Sequence, residues 1–298
     1  MSNPVKILLQ TTIPFVEDDW HIGRFSLLKK SLESIHDKNG QRQYIVAARD
    51  RETDKSGNDP VIQGLAESDA DELWLFAVDV GDGLSPDDCA AISRFRQRGG
   101  GIFSTRDHND LGSSLCTLGG IGAAHYFHSK NLDPDPERNR RDDQDNPKID
   151  FPNYHSGSNG DYQKITPLVD HELLKRRDGT FIEYFPAHPH EGGVGAPPGD
   201  GSARVIATGT SQATGRPFNL IVAFEASEDK HGNNLGRAIA ESSFHHLVDY
   251  NWDTDSGGPS FLEEPPGDGY KRNPNALDDI HSYVANVARW LHMAEPSA

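Results

Sequence analysis

The chain has 298 residues, with 29 Lys and Arg against 46 Asp and Glu, a formal net charge of -17. Such a length buries a substantial core in one large α/β domain or two small ones, and the charge argues against nucleic-acid and anionic-membrane partners, leaving a small neutral or cationic molecule. Cys89 and Cys116 are the only cysteines, too few for a disulfide framework or a four-cysteine zinc site. With no basic-then-apolar leader over Met1 to Ile13 and no apolar run of about 18 residues, the expected location is the cytoplasm.

Short runs rich in β-branched and aromatic residues at Val5–Ile13, Tyr44–Ala48, Leu73–Asp79 and Gly101–Asp107 alternate with helical patterns, which predicts a parallel sheet covered on both faces. The first helix is expected over Gly23–Ile35, with Phe25, Leu28, Leu32 and Ile35 on one stripe. The next starts at Ser85–Pro86, an N-cap followed by proline, and stops at Gly99 to Gly101. Further strands are expected at Thr180–Phe185, Arg204–Thr208 and Phe218–Phe224, the last two antiparallel because no helix separates them. Leu235–Val248 reads as a helix. Leu277, Ile280, Val284, Val287 and Leu291 trace the stripe of a C-terminal one. The polar stretch from about 131 to 161 reads as a loop insertion whose aspartates and arginines neutralise one another.

In an open α/β sheet, ligands bind outside the carboxyl ends of the strands. The residues expected there include Trp20 and His21 after the first strand, Asp107 and His108 after the fourth, and His188, His190 and Glu191 in FPAHPHEG. In an extended segment His188 and His190 point the same way, as in many His-x-His metal sites. A third ligand can come from His108, His245, His246 or Asp249, with His245 and Asp249 sharing a face if their segment is helical. A mixed histidine and carboxylate set suits zinc or manganese better than calcium. Asp107, His108 and Glu191 are the candidate catalytic residues. Asn153, Tyr154 and His155, with Trp20 and His21, supply donors and rings for a polar substrate. His36, His171, His231 and His292 read as surface residues.

The first strand with its Trp20–His21 pair, then DELWLFAVD, then a capped helix leading into RQRGGGIFSTRDH, resembles the ThuA-like members of the class I glutamine amidotransferase-like superfamily. GRAIAESSFHHLVDYNW and NVARWL are similar to that family's closing segment, a glycine- and arginine-containing strand leading to a histidine and then a last helix. The resemblance implies one flavodoxin-like three-layer domain over residues 1–298, with a mostly parallel sheet, long inserted loops, and a link to sugar chemistry, sometimes with a divalent metal. It marks His21, His108 and His245 or His246. The sequence departs from the amidotransferase pattern at the elbow, where Asp107 and His108 stand in place of a Gly-x-Cys-x-Gly turn. The expected function is a metal-assisted hydrolase or lyase acting on a small polar, carbohydrate-derived substrate. The alternatives are an amidase-type hydrolase using Cys116 and a non-catalytic ligand-binding module. A homo-oligomer is compatible with either.

Overall fold

The computed structural model describes residues 3–135, 154–229 and 231–292. Strands β1 (Val5–Thr11), β2 (Tyr44–Arg49), β3 (Glu72–Phe76) and β4 (Gly101–Thr105) lie in the order β2-β1-β3-β4, and a strand over Ala238–Glu241 pairs with β4. These pairings are all parallel. That is the flavodoxin-like order. The eight-stranded sheet is extended in antiparallel fashion by Pro217–Phe224, Ala203–Thr210 and Thr166–Pro167. The fold is therefore α/β with a mixed sheet that is mostly parallel.

Period-2 alternation divides the core between two faces. Ile7, Leu9, Trp74, Phe76 and Phe103 pack on one side with Leu28 and Leu32 of α1 (Ser26–Glu33) and with Ile280, Val284, Val287 and Leu291 of the C-terminal helix, Leu277–His292. Leu8, Leu73, Leu75 and Ile102 pack on the other with Ile62 of α2 (Pro60–Gln63) and Cys89, Ile92 and Phe95 of α3 (Pro86–Gln97). Burial on both faces explains why these strands read as continuous apolar runs. At the start of α3, the Ser85 hydroxyl accepts from the Asp88 amide and the Asp88 carboxylate accepts from the Ser85 amide, a full capping box.

Three expectations are corrected. Leu235–Val248 is not a helix: it holds the end of a short hairpin, the Ala238–Glu241 strand and a 3-10 turn at Phe244–His246. Ala238, Ile239 and Ala240 are wholly buried between β4 and Pro217–Phe224, and pairing on both edges overrides a weak helical pattern. The Thr180–Phe185 segment is extended only over Tyr184–Pro186, which pairs with Tyr162–Lys164 outside the main sheet. His171, expected at the surface, is buried against Trp290 with Nε2 3.4 Å from Glu225. The polar insertion falls mainly outside the described residues, as does the charge-neutralised loop expected there.

Two buried titratable groups belong to the core. Glu72 accepts from the Trp74 indole at 2.8 Å with Oε2 while Oε1 has no hydrogen-bond partner, and burial pushes its carboxyl well above the usual range. His125 is also buried. Its Nε2 lies 2.9 Å from the Ser104 hydroxyl, and burial, reinforced by Arg106, pushes it down to about 3.

Candidate functional site

Four chain segments meet at the carboxyl edge of the sheet. The backbone leaving β4 carries Asp107 and His108; the Ala238–Glu241 strand leads into His245 and His246; Tyr184–Pro186 leads into His188, His190 and Glu191; and the segment after β1 brings Trp20. Gly192 permits the close approach of the third segment, since a Cβ there would lie 2.4 Å from the Asp107 carbonyl oxygen and 2.8 Å from that of Ser242. Its amide donates to the Ser242 carbonyl at 3.2 Å.

Asp107, His188 and His245 are all buried, and one ligand atom from each lies within 4.8 Å of the others, an arrangement that can hold a metal ion. The His188 and His245 rings stack at 3.6 Å between centroids. Asp107 Oδ2 is 3.3 Å from His245 Nε2 and 3.2 Å from His108 Nδ1, while Oδ1 is 3.6 Å from His188 Nδ1. His188 Nδ1 also accepts the His190 amide at 3.2 Å. Burial opposes charge on Asp107, but His108, His245 and His188 outweigh it and hold the carboxyl well below the usual range. Burial first, then His245, lowers His188 far below an ordinary imidazole. Two acceptors that both resist protonation thus face one another. Asp107 Oδ1 and His245 Nδ1 have no hydrogen-bond partner, and a buried orphan acceptor beside two imidazoles fits a cation.

Toward solvent, His190 Nε2 contacts Glu264 Oε1 at 3.0 Å, and its ring lies 4.8 Å from that of the partly exposed His108. Burial first, with His108 adding, lowers His190, and Glu264 opposes this. Trp20 meets the edge of His245 at 4.7 Å, with the exposed Phe261 behind it. His155 is half-buried, lowered by burial.

On the inner side, His246 lies between two carboxylates, with Nε2 3.0 Å from Glu191 Oε1 and Nδ1 2.6 Å from Glu241 Oε1. Burial opposes its charge, but Glu191 and Glu241 prevail and push it up to about 10.

The structure thus brings His108, His188, His190 and His245 together. His188 and His190 do not point the same way, because His190 sits in a turn; their rings are 87° apart, and His190 addresses Glu264. Asp107, expected as catalytic, lies in the buried group with His188 and His245 that could hold a metal ion. Glu191, expected as a catalytic candidate, is fully buried, with both carboxylate oxygens engaged inward. Asp249 does not share a helix face with His245: it opens the next short helix and caps α1 through Ser26 and Leu27. His21 caps the turn at Ile22–Phe25 and stacks edge-on with Phe15. Tyr154 is buried, its ring stacked on Phe218 and its backbone paired with Glu191. Asn153 lies outside the described residues. Cys116 sits in the turn Ser113–Thr117, where burial raises its thiol, the opposite of what a nucleophilic thiolate needs. Sequence reasoning missed Glu264, whose EEPPG setting carries no periodic signal.

No family model and no curated protein matches the chain. Among solved structures, the N-terminal domain of mmIFT52 is similar, with a TM-score of 0.51 and 9% identity, covering 98% of this chain and 100% of that one. A ThuA-like protein from Parabacteroides merdae is similar at a TM-score of 0.48 and 14% identity, covering 99% and 93%. The glutaminase domain of Trypanosoma brucei CTPS, with bound acivicin, gives 0.45 and 14%, covering 98% and 96%. At 9% identity the likeness to the mmIFT52 domain is one of fold.

Proposed function

We propose that the chain is a metal-assisted hydrolase or lyase acting on a small polar substrate, with Asp107, His188 and His245 holding a divalent ion. The observation that carries this reading is the buried Asp–His–His group with its orphan Asp107 Oδ1. Two imidazoles and one carboxylate suit zinc, manganese or iron(II). When bound, such an ion supplies Lewis-acid polarisation of a substrate carbonyl.

The chain's own groups manage protons. His190, kept neutral by burial and oriented by Glu264, has Nδ1 as its basic nitrogen when Nε2–H points to the carboxylate. His108, turned by Asp107 in the same manner, stands at the solvent side as the partner acid or base. The exposed Phe261, edge-on to the buried Trp20, offers an apolar surface against which a sugar or other ring can lie. The carbohydrate connection rests on the ThuA-like resemblance and on these rings.

Elemental analysis of the purified, tag-free protein by plasma mass spectrometry, after exposure to zinc and to manganese, tests the reading. It expects about one ion per chain, lost in His188→Ala and in Asp107→Asn. Protein that takes up neither ion sinks it.

A further inference from the structure

We propose that Glu191 and His246 form a buried clamp that positions the ligands of the candidate cation site, a proposal that rests on the reading of Asp107, His188 and His245 as that site. Glu191 belongs to the segment that carries His188, and His246 directly follows His245. Each ligand therefore has a near neighbour whose side chain turns inward, and those two neighbours meet at 3.0 Å.

The meeting point is fixed from several sides. Glu191 Oε1 accepts from Ser156 Oγ at 2.7 Å and from the Gln163 side-chain amide, and Oε2 accepts from Ser242 Oγ at 3.0 Å. His246 reaches Glu241 at 2.6 Å, and Glu241 Oε2 accepts from the Tyr283 hydroxyl at 3.2 Å. The chain of contacts runs from the ligand loops to the C-terminal helix. Glu191, His246, Glu241 and Tyr283 are all fully buried.

Burying two carboxylates and an imidazole costs desolvation that an apolar set of the same volume avoids, so their presence is poor evidence for stability alone. What the ionic set adds is register. Directional bonds fix the His188 segment against the His245 segment, whereas apolar packing tolerates sliding. Outer-shell groups that orient metal ligands typically account for about 10–100-fold in metal affinity.

The experiment compares the full chain with Glu191→Gln and, as a milder change, Ser242→Ala, using cobalt(II) alone as probe. Affinity and the visible d–d spectrum are read beside the thermal midpoint and far-UV circular dichroism. Glu191→Gln is expected to lose about 10–100-fold in cobalt affinity with a changed d–d envelope while remaining folded. Ser242→Ala shifts both in the same direction, by less. It alone decides the matter if Glu191→Gln does not fold. Lower midpoints with unaltered cobalt affinity and spectrum in the folded variants overturn the clamp, since a merely structural role predicts that result. A wild-type chain that takes up no cobalt overturns the cation site itself, and the positioning role with it.

Discussion

The imidazoles of His188 and His245 stack 3.6 Å apart and 14° from parallel, with the Asp107 carboxylate reaching toward both. Burial first, and then the neighbouring His245, disfavours a proton on His188, so that imidazole is set to offer a lone pair. Asp107→Asn removes the anion and leaves the shape. It is expected to weaken zinc binding by at least the about 10–100-fold that outer-shell partners cost, measured by competition with a chromogenic chelator.

At Gly192 the His188 segment runs against the backbone that leaves β4 and the Ala238–Glu241 strand. A methyl group there meets two carbonyl oxygens that cannot move independently of the sheet. Gly192→Ala is expected to cost about 1–3 kcal/mol, as overpacking does, and to lower bound metal because the His188 loop must shift. Denaturant titration and elemental analysis read the two effects together.

Glu72 gives a stability signature opposite to that of a salt-bridged carboxylate. Its folded pKa is raised, so above about 4.5 the unfolded chain releases a proton that the folded chain keeps, and stability falls as pH rises from there. Glu72→Gln is expected to raise the unfolding free energy at pH 8. The gain should vanish near pH 4.5. An equal effect at both pH values refutes the assignment.

His125 acts in the acid range. Its folded value is pushed down to about 3 while an unfolded histidine titrates near 6.5, so below that pH the unfolded chain takes up a proton that the folded chain refuses. Stability is lost as pH falls through that window, by about 2 kcal/mol between pH 6.5 and 5. In His125→Gln the drop in unfolding free energy over the same interval should be smaller by this amount, which guanidinium titrations at the two pH values measure.

Cys116 is expected to be dispensable. Its raised thiol predicts slow labelling by a disulfide reagent at pH 7, and Cys116→Ser should keep metal content and thermal midpoint unchanged. Rapid labelling at neutral pH reopens the amidase reading.

Much of the frame was legible before the structure. Strands β1 to β4, the Ser85 cap and the stripe from Leu277 to Leu291 depend on local pattern, and local pattern is what a sequence displays directly. The histidines and Asp107 were recognisable as chemistry-bearing because they follow strands, where open sheets gather ligands. The Ala238–Glu241 strand was misread because short runs of small apolar residues satisfy either period. Only its neighbours on both sides, β4 and Pro217–Phe224, choose.

The division of labour among those residues was decided in three dimensions. Whether Glu191 faces solvent or His246, whether His190 joins His188 or turns to Glu264, and whether His171 is exposed are questions of which segment packs against which. The sequence by itself set the α/β layers and the sheet edge where the candidate residues lie, since periodicity and strand ends are local properties. Only the tertiary structure joined Asp107, His188 and His245 into one buried group, since burial and mutual distance arise from contacts between residues far apart along the chain.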